Sequence, residues 1–135
     1  MQAIRGVDTK PEIAVRHVLL EMKIGYRLHV RDLPGHPDIV LRRGKNVIFV
    51  NGCFWHQHEG CKYAAHPSTN TDFWNSKLQR TKERDAEITA KLEASGYNVF
   101  TIWECETRDT AVLKEKINAI LSKAGAHTEK RINGN

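Results

Sequence analysis

The chain lacks any run of about 18 apolar residues, so no membrane-spanning helix is expected. It lacks a secretory pattern too: Met1-Gln2-Ala3-Ile4-Arg5-Gly6 moves straight into polar sequence, which points to the cytoplasm. Internal repeats, low-complexity tracts and Gly/Ser/Pro linkers are absent up to the polar end at 127–135. Residues 1–126 are therefore expected to form a single domain, with 127–135 as a flexible tail. Cysteine is scarce, and its count of three is odd. Three thiols cannot close a disulfide framework, whereas three thiolates plus one imidazole complete a structural zinc site in a reducing compartment. Acidic residues are outnumbered, 16 Asp+Glu against 21 Lys+Arg, and the net charge of +5 favours a polyanionic partner without identifying it. The length of 135 residues allows one buried core and one active site.

Against this sparse background one segment is crowded. Gly52-Cys53-Phe54-Trp55-His56-Gln57-His58-Glu59-Gly60-Cys61 holds two thiols, two imidazoles and two large aromatics directly after an apolar, strand-like run. Cys53, His58 and Cys61, at Cys-x4-His-x2-Cys spacing, can occupy three corners of a zinc tetrahedron, and Cys105 is available as the fourth. All three thiols are then used, and His56 and the aromatics are left for another purpose.

Periodicity predicts the order α-β-β-β-α-β-α, a mixed sheet with helices against it. A first helix starts near Asp8-Thr9-Lys10-Pro11 and ends at Gly25, with Val15, Val18, Leu19 and Met22 on one face. Tyr26, Leu28 and Val30 alternate as a strand, Asp38-Ile39-Val40-Leu41 is a second, and the turn Arg42 to Asn46 leads into Val47-Ile48-Phe49-Val50. A long helix runs from Asp72 to Ala94, a strand from Tyr97 to Trp103, and a closing helix from Thr110 to Lys123.

Carboxylates that break this pattern are candidates for chemistry. Asp85 falls on the stripe of Trp74, Leu78, Thr81, Ile88 and Leu92, and an inward carboxylate needs a partner. Glu12 sits at the inner edge of the first helix, where complementing the helix dipole is the plainer explanation. Asp38 opens a strand in which aspartate is a poor former. Its hairpin partner ends at Val50-Asn51, so the segment carrying His56 emerges beside it. An acid able to hold a divalent cation, a histidine able to deprotonate water and an acid able to orient that histidine are the parts for metal-assisted phosphodiester hydrolysis, with Glu12 as a further outer ligand.

Pro34-Gly35-His36-Pro37-Asp38-Ile39-Val40, Val47 through Cys61, Asp72-Phe73-Trp74 and Trp103-Glu104-Cys105 together resemble the very-short-patch repair (Vsr) DNA mismatch endonucleases, a branch of the restriction-endonuclease-like PD-(D/E)XK nucleases. The resemblance runs in order over residues 1–121. It implies an α/β, restriction-endonuclease-like fold with a mixed central β-sheet and a structural zinc site. It implies a bacterial or phage enzyme, acting as a monomer on double-stranded DNA, that makes a magnesium-dependent nick 5′ of the thymine of a T:G mismatch. Mismatch-repair proteins are the further partners it suggests.

By the same resemblance Asp38 and the Val50 carbonyl hold one or two magnesium ions, His56 is the general base, Asp85 orients it, and Glu12 is an additional acid. Cys53, His58, Cys61 and Cys105 hold one zinc. Phe54 and Trp55, with Trp74 as a third aromatic and Met1 from the opposite groove, wedge into the base stack beside the mismatch. On its helical stripe Trp74 fits core packing as well as DNA contact, Trp103 reads as core, and His17, His29, His36, His66 and His127 read as surface or turn residues.

The sequence departs from the expected pattern in three places. Asn51 replaces a family histidine, the acid and lysine of the wider superfamily are missing at Phe49 and Asn51 as they are in the family itself, and the basic arm expected before Met1 is absent, for which weaker DNA binding is expected. Two other readings use the same residues: a Vsr-like nickase without a T:G requirement, and a zinc-stabilised DNA-binding module without chemistry.

Overall fold

The computed structural model describes residues 9–64 and 68–133, without the side chains of Tyr63 and of 124–133. Helix α1 (Lys10–Glu21) begins where Thr9 caps it: the Thr9 hydroxyl accepts the Glu12 N–H at 3.3 Å, and Pro11 occupies the first turn, where its missing N–H costs nothing. Strands β1 (Tyr26–Leu28), β2 (Ile39–Leu41) and β3 (Asn46–Asn51) form an antiparallel meander. Helix α2 (Thr71–Ala94) then crosses over, so that β4 (Asn98–Trp103) pairs parallel to β3 and the sheet order is β1-β2-β3-β4. Helix α3 (Thr110–Asn133) closes the fold. Its backbone continues ten residues past the expected end at Lys123, to Asn133.

Alternation along the strands explains why helices cover both faces. Ile39, Leu41, Ile48 and Ile102 point one way and pack with Val15, Val18 and Leu19 of α1 and Leu113, Ile117 and Ile120 of α3. Val40 and Val47 point the other way and pack with Leu92 of α2, joined by Phe49, Ile88 and Val99. The crossover helix thus lies over the face opposite α1 and α3, and its N-terminal half projects beyond the sheet towards the segment that follows β3. Among the described residues no helix is long and apolar enough to cross a membrane.

Two strands are shorter than their alternation predicts, and both shortenings shape the site. Strand β1 stops at Leu28 and excludes Val30 because His29 turns into the left-handed region, at φ 49°. Strand β2 starts at Ile39, after Asp38, because beyond the last paired residues, Ile39 and Ile48, the Asp38 carboxylate accepts the Val50 N–H at 2.8 Å. The turn leading to Asp38 has its own constraint: Gly35 sits at φ 74°, and a Cβ there would lie 2.5 Å from Cγ2 of Ile88. Left-handed strain and this overlap add, so Gly35→Ala should destabilise the protein by about 2–4 kcal/mol, read as a lower thermal midpoint.

Candidate active site

Three elements converge on the segment after β3. The chain leaves the sheet at Asn51, makes a tight turn closed by the His56 N–H to Gly52 carbonyl (3.2 Å) and His58 N–H to Cys53 carbonyl (2.9 Å) bonds, and stays short enough to be set by its side chains. Gln57, at φ 48°, anchors the turn by donating its amide to the Phe54 carbonyl at 2.7 Å and the Ala64 carbonyl at 3.2 Å.

Cys53, His58, Cys61 and Cys105 offer ligand atoms that all lie within 4.8 Å of one another. With zinc bonds of about 2.3 Å to sulfur and about 2.0 Å to nitrogen, a tetrahedron separates a sulfur from a nitrogen by about 3.6 Å. The His58 Nδ1 lies 3.7 Å from Cys53 Sγ and 3.5 Å from Cys105 Sγ, so the donor set fits one zinc ion. Burial pushes the Cys53 thiol up to about 12, and the neighbouring thiols of Cys105 and Cys61 add to the rise. The Cys105 thiol is raised as well, again chiefly by burial. Thiols so difficult to ionise become thiolates readily only beside a cation.

Outer contacts hold the ligands in place. The Cys105 N–H donates to Cys53 Sγ at 3.4 Å, and Glu104 Oε1 accepts the Cys53 N–H at 3.4 Å. Trp103 stacks face to face on the His58 ring, 4.1 Å between centroids and 8° between planes. The expectation that Trp103 belongs to the core is corrected: the last residue of β4, paired with Asn51 at the sheet's end, lies in neither core cluster and packs on a candidate ligand.

Asp38, His56 and Asp85 line one open cleft of about 1060 Å³, together with Val50 and Asn51 at the end of β3. The His56 Nδ1 lies 2.6 Å from Asp85 Oδ2. At pH values where the carboxylate is ionised, that contact places the imidazole proton on Nδ1 and leaves Nε2 with a free lone pair. Burial pushes the Asp38 carboxyl up to about 6, against the pull of the Val50 N–H; Glu12 adds to the rise, while His29 and His56 oppose it.

Glu12 is 1% exposed and lies behind the cleft rather than on its wall. Its Oε2 meets His29 Nε2 at 2.5 Å and the Arg16 guanidinium at 3.5 Å. Glu12 is an acid of the first turn, as helix-dipole complementation expects, but that alone does not explain its burial against His29. His29, expected as a surface or turn histidine, is instead a partner of this buried acid. The contact spans 17 residues from helix to strand end, so neither spacing nor periodicity could have shown it.

Phe54, Trp55 and Trp74 form one aromatic cluster, with centroids 5.1 Å apart for Phe54 and Trp55, 5.4 Å for Phe54 and Trp74, and 5.8 Å for the two tryptophans. Trp74 thus packs on the segment after β3 and not in either core cluster. Phe73 stands edge-on to Trp74 at 5.2 Å and is 58% exposed, extending the cluster by a ring that the helical stripe did not single out. Lys77 lies 6.0 Å from the Trp55 ring. Met1 lies outside the described residues.

A mixed sheet covered by helices on both faces, with an acid and a histidine/aspartate pair in a cleft at the strand ends, places the chain among the restriction-endonuclease-like DNA nucleases. Within that class it belongs to the family of Vsr endonucleases and the type II nicking enzymes related to them. Residues 1–62 match the family described as DNA mismatch endonuclease Vsr. The type II nicking enzyme V.XorIIP of Xanthomonas oryzae pv. oryzae is 41% identical over 121 residues, covering 90% of this chain and 88% of that protein. The DNA mismatch endonuclease Vsr of Escherichia coli is 35% identical over 116 residues, covering 86% of this chain and 74% of that protein. Among solved structures, the catalytic domain of the homing endonuclease I-Bth0305I superposes with a TM-score of 0.55 at 27% identity, covering 82% of this chain and 92% of that one.

Proposed function

We propose that the protein nicks one strand of double-stranded DNA on the 5′ side of the thymine of a T:G mismatch, by magnesium-dependent phosphodiester hydrolysis, as a cytoplasmic monomer whose catalytic domain is residues 1–126. The observation that carries this reading is the 2.6 Å contact from His56 Nδ1 to Asp85 Oδ2 in the cleft that Asp38 lines. A zinc-stabilised binding module would have no use for an imidazole oriented this way. Asp38 and the Val50 carbonyl are the hard oxygen donors that would hold magnesium, with Glu12 nearby as added negative charge. Their chemistry fits the ion: burial and a second acid push the Asp38 carboxyl up to about 6, and a cation held there would favour its charged form. Bound there, magnesium would supply positive charge to the phosphate under attack.

The remaining steps belong to the chain. His56 Nε2 takes the proton of the attacking water, and Asp85 stabilises the imidazolium that results. Phe54, Trp55 and Trp74 offer a cluster of rings, packed edge-on or tilted against one another, on which bases can stack, and a mismatched pair is cheaper to open than a matched one. Nicking of T:G and T:A duplexes of otherwise identical sequence tests the substrate. The T:G duplex should be cut at least about tenfold faster, and equal rates would move the enzyme to the alternative reading, a Vsr-like nickase without a T:G requirement.

The zinc role separates from the chemistry by its own experiment. Cys105→Ser is expected to release the zinc, detected with a chromogenic chelator, and to lower the thermal midpoint by roughly 10 °C or more, since binding free energy at a structural zinc site is folding free energy. Unchanged zinc content would remove Cys105 from the ligand set.

A further inference from the structure

His29 stands in an unusual position for a residue outside the cleft. It is a non-glycine residue at φ 49°, a conformation that L side chains adopt at a cost of about 1–2 kcal/mol. Two contacts hold it there, and both lead to acids of the site. Its backbone N–H donates to the carbonyl of Asp38 at 3.0 Å. Its ring Nε2 meets Oε2 of Glu12 at 2.5 Å, on a carboxylate that is 1% exposed.

A buried carboxylate left without donors is free to rotate, and rotation moves the charge it offers to a cation. Glu12 already has the Arg16 guanidinium at 3.5 Å, but that contact comes from one turn along its own helix and says nothing about where Asp38 is. His29 bonds both acids, one through its ring and one through its backbone. The strained turn at the end of β1 thereby ties α1 to the start of β2.

Resting on the magnesium-dependent reading above, we infer that His29 is a positioning residue: it fixes the Glu12 carboxylate relative to Asp38 and so sets the affinity of the cation site without touching substrate. Two substitutions in the full-length, zinc-loaded chain separate ring from backbone. His29→Gly keeps the left-handed backbone, and even relieves its strain, while deleting the ring. His29→Gln restores an N–H donor at similar reach.

Manganese is titrated into each protein without DNA, with free ion followed by electron paramagnetic resonance, and the metal-free thermal midpoint is recorded in parallel. His29→Gly is expected to weaken manganese binding at least about tenfold, while His29→Gln stays within about threefold of the parent. The inference is overturned by a glycine variant that binds manganese as the parent does, or by a glutamine variant as weak as the glycine one. If the glycine variant melts too low to titrate, the glutamine variant decides alone: affinity near the parent's supports donor-based positioning, and a tenfold loss refutes it. A parent protein that binds manganese but nicks no duplex leaves the positioning result intact and counts instead against the proposed activity.

Discussion

Replacing Asp38 with asparagine should abolish magnesium-dependent nicking and, in the absence of divalent metal, make the protein more stable. The two effects have one origin. Burial and the nearby Glu12 push the Asp38 carboxyl up to about 6 although the Val50 N–H and two histidines favour its charged form. Its ionised form at neutral pH is thus held at a cost, and a rise of about two pKa units corresponds to about 3 kcal/mol, of which partial solvent access leaves about 1–3 kcal/mol. Asparagine keeps an oxygen for the Val50 N–H bond at 2.8 Å and removes the charge. The metal-free variant should therefore melt about 3–10 °C higher than the parent at pH 7.5. Nicking should fall by about 10³-fold or more, because the several kcal/mol that a metal supplies at a developing phosphorane charge is lost with its ligand.

The sign of the pH dependence follows from the same carboxyl. A folded-state value raised above the unfolded one means that folding binds a proton between the two, so the Asp38 contribution is most favourable in acid and is lost as pH rises from about 4 to about 6. Metal-free parent protein should show this decline in its thermal midpoint and the asparagine variant should not. Magnesium should oppose the decline in the parent alone. A melting temperature that does not rise on substitution would mean that the carboxylate is better solvated than its burial indicates.

Most of the site was legible in the amino-acid sequence, and the reasons differ from residue to residue. Cys53, His58 and Cys61 lie close along the chain, where ligand spacing is itself the geometry, and only Cys105 had to be brought from the end of β4. Asp38 and the segment with His56 were joined by hairpin logic, which works because β2 and β3 are antiparallel neighbours. Asp85 was legible as a charge on an apolar stripe, although the middle of that stripe, Thr81, Asp85 and Ile88, lines the cleft.

What escaped depends on contacts between elements distant in sequence. His29 meets Glu12 only because β1 ends abruptly, and the end of a strand is set by a single dihedral that periodicity does not register. Trp103 ends a mostly apolar strand, so its stacking on His58 is invisible until the lengths of β3 and β4 are known. The stop at Lys123 failed for a different reason: Gly125 follows two residues later, but a lone glycine costs a helix only about 1 kcal/mol, and the backbone of α3 runs through it to Asn133.

His56→Ala should nick T:G duplexes about 10²–10⁴-fold more slowly than the parent while keeping its zinc and its fold, the usual range for loss of a general base. Zinc retention is expected because the ring is absent from the four-residue ligand cluster, and the backbone bonds that close the turn do not involve the side chain. Asp85→Ala should cost nearly as much. With no acceptor at Nδ1, the imidazole can rotate and carry its proton on either nitrogen, and only the Nδ1-protonated form presents Nε2 as a base towards the cleft. The double variant then distinguishes an acting pair from two independent contributors. If Asp85 works solely through the 2.6 Å contact with His56, the double variant should nick no more slowly than His56→Ala alone, because an orienting group has nothing left to orient. Multiplicative losses would show Asp85 acting on the cleft in its own right, for instance on the cation or on the DNA backbone, and its assignment as the partner of His56 would have to be abandoned.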